Sequence, residues 1–263
     1  MREPSIPLAA ARLLARSWTG GEHIDALPQE WRPATRAEGY AIQSQWPGVL
    51  GQPVAGWKIA ATSQAGQQHI AVSGPLAGPV FAHRVRADGA QILLDANRMR
   101  VAECEIVFRF ARALAPRASG YGRDEVLAAV ASLHPGIEAP DSRFLEFERA
   151  GEAQLIADCA CTNDMVVGAP VAPDALRLQQ LPTLAVQALV SDGRRPQGLG
   201  SNVLGDPVDA LVWLVNELSG AGQPIASGQF VTTGACVAPI PVVPGQAVEA
   251  DFGWIGRVRA SFA

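Results

Sequence analysis

Hydrophobic and polar positions change period several times along the chain, and each change marks an element. Leu8, Ala11, Leu14 and Ala15 keep helical spacing, so residues 8–18 are read as an amphipathic helix. Thr35-Ala-Arg-Glu38 has the form of a capping box and opens a second helix through Tyr40, Ile42 and Gln43. The Pro/Gly-rich stretch 47–53 breaks that pattern. From Val54 the run Val-Ala-Gly-Trp-Lys-Ile-Ala reads as a strand, with a short polar helix after it around residues 63–70. Residues 91–95 form a short strand and 100–111 a longer one with clear alternation. Residues 124–133 are read as a helix, and 136–141 as an extended segment leading into a turn. Residues 183–191, the turn Asp192-Gly193 and the segment after it resemble a hairpin. Asp206-Pro207 has N-cap and first-turn character ahead of an apolar stripe of Leu211, Leu214, Val215 and Leu218. Residues 229–262 are short strands broken by Gly and Pro.

No repeat or low-complexity linker interrupts this order, and it predicts a mixed α/β fold: a helical portion over 1–50 and a mixed body over 51–263 that together make one structural unit. The composition is that of a globular chain, 48% apolar and 17% charged over 263 residues, which excludes a disordered or fibrous protein. With 21 basic residues against 25 acidic ones there is no cationic excess to neutralise a phosphate backbone, so nucleic acid is excluded as the main partner. No stretch approaches the roughly 18 apolar residues of a membrane span, and the arginines of 8–18 argue against a signal peptide. Cys104, Cys159, Cys161 and Cys236 form no CxxC pair. Cys159 and Cys161 on an extended strand would face opposite sides, so neither a zinc site nor a disulfide framework is expected. These features together point to a cytoplasmic setting.

Chemistry enters through an imbalance among the basic residues: 20 are arginine and one, Lys58, is lysine. Composition explains the scarcity but not the position, between Trp57 and Ile59 on a strand, where an apolar setting would lower the amine's pKa toward acid/base use. A lysine snorkelling to the surface is the competing reading. In Val101-Ala-Glu-Cys-Glu-Ile-Val-Phe-Arg-Phe110 the even positions are apolar, and Glu103 and Glu105 share the other face. Their backbones lie about 7 Å apart, close enough to share a hard cation such as Mg²⁺, Mn²⁺ or Ca²⁺, or else they are solvated acids on a half-buried strand. Glu138 sits in an apolar extended stretch where its charge needs a metal or a partner such as Arg143. His69 and His134 lie near these motifs, and no two histidines have metal-ligand spacing. The glycine-rich run 198–205 before a helix lacks the acid that a dinucleotide loop would need.

Taken together, these segments resemble the 2-keto-4-pentenoate hydratase and 4-oxalocrotonate decarboxylase group of the fumarylacetoacetate hydrolase superfamily. The resemblance rests on Tyr40-Ala-Ile-Gln43, Gly56-Trp-Lys-Ile-Ala-Ala-Thr-Ser63, Glu103-Cys-Glu105, Ile137-Glu-Ala-Pro-Asp-Ser-Arg143, Asp158 with Asn163, Gly198-Leu-Gly-Ser-Asn-Val-Leu-Gly-Asp-Pro207, Trp213-Leu-Val-Asn216 and Ser227-Gly228. It implies the superfamily's mixed β-fold, a homo-oligomer, Mg²⁺ (or Mn²⁺) held by Glu103, Glu105 and Glu138, and an active-site role for Lys58. Ser142, Arg143, Asn163 and Ser227 are expected to bind substrate, a small 2-oxo acid or 2-hydroxy-dienoate of the kind left by cleavage of an aromatic ring. The chain departs from the pattern in two respects: family hydratases carry an acid shortly after the lysine, and here no Asp or Glu occurs between Lys58 and Asp88; and the family's Ala-Asp-Asn segment reads Cys161-Thr162-Asn163, followed by a compressed Asp-Met-Val-Val-Gly168 at the substrate pocket. Where an acid after the lysine performs part of the proton transfer, His69, water or another residue is expected to take it over, or else the chain does different chemistry. The implied reaction is hydration of a 2-hydroxy-2,4-dienoate, with decarboxylation of a 2-oxo-enedioate as the alternative, favoured slightly by the missing acid. C–C hydrolysis lacks a Glu–His pair near the N-terminal motifs, and a non-catalytic binding or assembly subunit is the reading from another class.

Overall fold

A computed structural model describes residues 4–263. Among these residues there are eight helices: α1 (Ile6–Gly20), α2 (Arg36–Gln43), α3 (Trp46–Leu50), α4 (Gln64–His69), α5 (Arg123–Leu127), α6 (Glu152–Ala157), α7 (Ala175–Leu178) and α8 (Pro207–Gly220). The first ten strands are β1 (Val54–Ala60), β2 (Leu76–Phe81), β3 (Val85–Ala87), β4 (Gln91–Ile92), β5 (Val101–Phe110), β6 (Val130–Ala139), β7 (Asp164–Val167), β8 (Ala185–Val190), β9 (Gln197–Leu199) and β10 (Phe230–Ala235). The C-terminal strands are β11 (Ile240–Pro241), β12 (Ala247–Asp251) and β13 (Arg257–Phe262). They form an eight-stranded sheet of order β2-β1-β10-β5-β6-β7-β3, with β11 on β5, and a five-stranded sheet of order β4-β13-β12-β8-β9. In the larger sheet β1–β10 and β3–β7 run parallel and the remaining pairs antiparallel.

Two apolar cores flank the larger sheet. One joins the even-numbered face of β5 (Cys104, Ile106, Phe108) to α8 and to Val248, Val258 and Ala260 of the smaller sheet. The other gathers α1 and Trp46 against Phe81, Phe144 and the segment 155–161. Packing on both faces buries three charges that point out of the sheet, Lys58, Glu105 and Glu138. Among the described residues no helix is long and apolar enough to cross a membrane.

Local signals account for most boundaries. Thr35 and Glu38 make the reciprocal capping box, and the Asp206 carboxylate caps α8 by accepting from the Val208 amide, with Pro207 in the first turn. Two boundaries differ from the sequence reading. The Pro/Gly stretch after residue 46 still closes one helical turn, because Pro47 falls at a helix start and Gly51 supplies a left-handed end, φ 62°. The helix expected over 124–133 stops at Leu127, and the chain enters β6 at Val130, because Val130–Leu133 pair with Phe110–Phe108 of β5.

Candidate active site

The centre of the site is a register effect. β5 and β6 pair so that Glu103 lies directly opposite Glu138, with Glu105 two residues along on the same face. Opposed residues of an antiparallel pair bring their Cβ atoms within about 4.5–5.5 Å. One carboxylate oxygen from each glutamate lies within 4.8 Å of the other two, at the separation that ligands of a single ion would have. Like charges placed opposite one another destabilise a sheet, and Glu105 and Glu138 are buried as well. These are not the solvated acids of a half-exposed strand.

The electrostatics follow from that crowding. Burial first, then the charge of Glu105, pushes the Glu103 carboxyl up to about 7 against the opposing pull of Lys58. Burial and Glu138 push Glu105 up to about 8. Burial raises Glu138 to about 7 although Lys58 opposes it. Oε2 of Glu138 and Oε1 of Glu105 are buried without a hydrogen-bond donor, and Oε1 of Glu138 faces only the Lys58 ammonium at 3.3 Å. Oε2 of Glu105 is held by the Thr232 hydroxyl and by the Gly234 amide at 2.9 Å. Three convergent carboxylates, two of them with buried unsatisfied oxygens, fit a hard divalent cation, and a dication there would remove the penalty that raises the three carboxyls.

Lys58 is the cation already at hand. Its side chain is 2% exposed, with Nζ 3.3 Å from Glu138 Oε1 and donating to the Ala160 carbonyl at 2.9 Å. The expectation of a lowered pKa is corrected here: burial does oppose the charge, but Glu138, Glu103 and Glu105 outweigh it, and the amine is raised above its ordinary value. Snorkelling is likewise excluded by the burial.

The Ala160 carbonyl is aimed by an unusual turn. Cys159, Ala160 and Cys161 have φ of 53°, 50° and 61°, three consecutive non-glycine residues in the left-handed region, each costing about 1–2 kcal/mol. This replaces the extended segment expected there, so the two cysteines do not face opposite sides of a strand; all four cysteines are buried and unpaired. Gly78 sits across from Lys58 on β2, and a Cβ there would collide with the Cys159 carbonyl, so the glycine admits the turn.

Lys58 and Glu103 open onto a cavity of about 830 Å³ with apolar walls that include Ile59, Met99, Val101 and Val237. His69, at the end of α4, lines the same cavity with its ring edge-on to Phe147 at 6.0 Å. Arg98 and Glu148 lie on its wall too.

The four residues expected to bind substrate are not brought to this cavity. Ser142 and Arg143 are consumed by buried Asp158: the Ser142 hydroxyl donates to Oδ2 at 2.8 Å, and the Arg143 guanidinium pairs with Oδ1 and donates to the Asp141 and Thr162 carbonyls. Arg143 therefore does not pair with Glu138. Asn163 accepts from the Trp18 indole at 3.0 Å, and together with Arg143 it lines a separate groove beside the end of α1. Ser227 is exposed and donates to the Ala111 carbonyl. Several of the sequence motifs are scaffold as well. Gln43 donates to the Ala77 and Ile156 carbonyls, and Asn216 anchors the Tyr121 amide. Gly198 and Gly200 are needed because a Cβ on either would strike the Cys236 or Leu181 carbonyl, so that run is a packing device and not a phosphate loop. His134 bonds the Gly168 carbonyl away from the site. The sequence reading missed Thr232, Gly234, Ala160 and Arg98. Only the Thr-Thr-Gly run on a strand gave any hint, a buried hydroxyl pair ahead of a glycine at φ +100°.

No family model matches the chain. The chain is 31% identical to a 2-keto-4-pentenoate hydratase of Paraburkholderia xenovorans (strain LB400), over 96% of this chain and 93% of that protein. It superposes on a 4-oxalocrotonate decarboxylase from Pseudomonas putida G7, complexed with magnesium and adipate, with a TM-score of 0.87 and 25% identity, covering 100% of this chain and 99% of that one. A fumarylacetoacetate hydrolase family protein from Yersinia pestis CO92 shares the fold at TM-score 0.61 and 14% identity, over 81% of this chain and 94% of that one.

Proposed function

Because the chain belongs to the family of 2-keto-4-pentenoate hydratases, we propose that it is a divalent-metal-dependent lyase that adds water to a 2-hydroxy-2,4-dienoate, giving a 4-hydroxy-2-oxo acid. The observation that carries this reading is the convergence of Glu103, Glu105 and Glu138 beside a buried lysine at the wall of a large apolar cavity. Mg²⁺ or Mn²⁺ on the three carboxylates supplies Lewis-acid stabilisation of the charge that develops on a substrate's 2-oxygen. Thr232 and Gly234 fix the Glu105 carboxylate so that it meets its load without reorganising.

Lys58 enters as an ammonium, so its first act is to donate: its proton goes to C5 of the dienol, and the resulting amine takes the 2-hydroxyl proton. The net change is dienol to 2-oxo-3-enoate with the lysine regenerated. Ala160 and Glu138 hold the amine in one place through both transfers. Water then adds at C4, conjugated to the ketone, with C3 protonated. His69, in the same cavity, takes the proton from that water in place of the acid missing between residues 58 and 88. The same reading carries a cytoplasmic enzyme assembled as a homo-oligomer.

The missing acid also favours a second reading, decarboxylation of a 2-oxo-enedioate, which needs no base to activate water. Incubating the protein and Mg²⁺ with each substrate, following dienoate absorbance and CO₂ release, separates the two. Hydratase activity consumes the dienoate with no CO₂; stoichiometric CO₂ from the enedioate selects the alternative. Lys58→Arg keeps the charge and is expected to lower kcat by a factor on the order of 10²–10⁴. Normal turnover by that variant would overturn the assignment of Lys58.

A further inference from the structure

Arg98 is exposed on the wall of the active-site cavity, so its guanidinium stands in solvent and is free to exchange water for a ligand. It lines the active-site cavity, and among the described residues its side chain makes no hydrogen bond or ion pair, although Glu148 lies on the same wall. Its backbone is rigidly held. The Asp141 carboxylate oxygen Oδ1 accepts from the Arg98 and Met99 amides at 2.9 and 3.2 Å. Asn97 ties the turn further, accepting from the Arg100 amide at 2.7 Å and donating to the Pro140 carbonyl at 2.9 Å, with Arg100 at φ 46°. The turn is thus fastened to the segment just after Glu138, three residues or about 10 Å along the chain from the acidic centre. An Asp and an Asn are spent on presenting this arginine.

We propose that Arg98 is a specificity residue that receives a second carboxylate at the far end of the substrate, so that the preferred substrate is a 2-hydroxy-dienoate diacid and not a monoacid. The inference deepens the functional reading above and rests on it for the position of the reacting end. A substrate whose 2-oxygen and first carboxylate lie at the acidic centre extends past apolar Met99 and Val101, and its other end meets the guanidinium. At about 830 Å³ the cavity is near the upper end of the range for small-molecule sites, roughly 300–1,000 Å³. That is far more than a five-carbon acid fills. A planar guanidinium matches a carboxylate with two parallel hydrogen bonds, whereas an apolar chain end gains nothing from it.

The test compares kcat/KM for 2-hydroxyhepta-2,4-dienedioate and 2-hydroxypenta-2,4-dienoate with Mg²⁺ in the wild type, Arg98→Gln and Arg98→Lys. The wild type is expected to prefer the diacid. Arg98→Gln lowers the diacid-to-monoacid ratio by about tenfold or more, mainly through KM, and Arg98→Lys recovers part of it. A wild type that prefers the monoacid, or a ratio that Arg98→Gln does not move, overturns the proposal. A binding measurement separates this from failure of the hydratase reading: calorimetry of 2-oxoheptanedioate against 2-oxoheptanoate at fixed Mg²⁺ requires no turnover. Tighter diacid binding that Arg98→Gln erases supports the subsite even if neither dienoate is hydrated. Equal binding of the two in the wild type overturns it.

Discussion

Stripping divalent metal from the protein should make its stability fall as pH rises through neutrality. The reason lies in the three glutamates, whose carboxyls stand at about 7, 8 and 7 in the folded chain against 4.5 for an ordinary glutamate. A carboxyl raised by folding keeps its proton in the native state at pH values where the unfolded chain has lost it. The stabilisation is therefore complete below about pH 4.5 and is lost as pH rises through 7–8. The three groups share one site with Lys58, and one extra proton retained there in the folded chain is enough for the effect. That proton gives a slope of about 1.4 kcal/mol per pH unit, or about 3 kcal/mol between pH 5 and 7. For a chain of this size such a loss lowers Tm by roughly 6–12 °C. The assay is thermal unfolding in EDTA at pH 5, 6, 7 and 8, repeated with Mg²⁺, which should flatten the profile by neutralising the carboxylates. In EDTA, Glu138→Gln should remove much of the slope. A metal-free profile that is flat or rises from pH 5 to 7 would refute the claim that these acids crowd one another in the folded protein.

Two further substitutions probe the scaffold. Gly78→Ala puts a methyl group into the Cys159 carbonyl, so the left-handed turn must shift; the expected cost is about 1–3 kcal/mol by denaturant unfolding, with activity falling further than stability as the Ala160 carbonyl leaves Lys58. Asp158→Asn leaves the Arg143 guanidinium buried without its counter-charge, and should cost about 3–5 kcal/mol by the same measurement while leaving Mg²⁺ affinity of the folded protein intact.

Elements whose cause is local were legible in the sequence. The capping box at Thr35, the alternation of β5 and the Asp206-Pro207 start of α8 each arise from contacts within a few residues. Where pairing partners decide, the reading drifted: residues 130–133 suit a helix in isolation and a strand beside β5. The same division runs through the site. Glu103, Glu105, Glu138 and Lys58 could be singled out because charge in an apolar strand is costly and visible in one dimension. That Glu103 faces Glu138 is a register that no local pattern encodes. Arg143 looked like a substrate ligand for the same reason, a charge in a buried stretch, but its partner Asp158 lies fifteen residues on and makes it scaffold. Thr232, Gly234 and the Ala160 carbonyl reach the site only through the order of β1, β10 and β5 and a turn in the left-handed region, so residue type alone gave no reason to pick them out.

The central claim is that three carboxylates from two neighbouring strands hold one cation beside Lys58. Its most direct test is anomalous diffraction from crystals soaked in Mn²⁺. A single strong peak is expected within bonding distance of Glu103, Glu105 and Glu138, absent from Glu138→Gln crystals. Full occupancy of a site elsewhere with none between these three residues would contradict it.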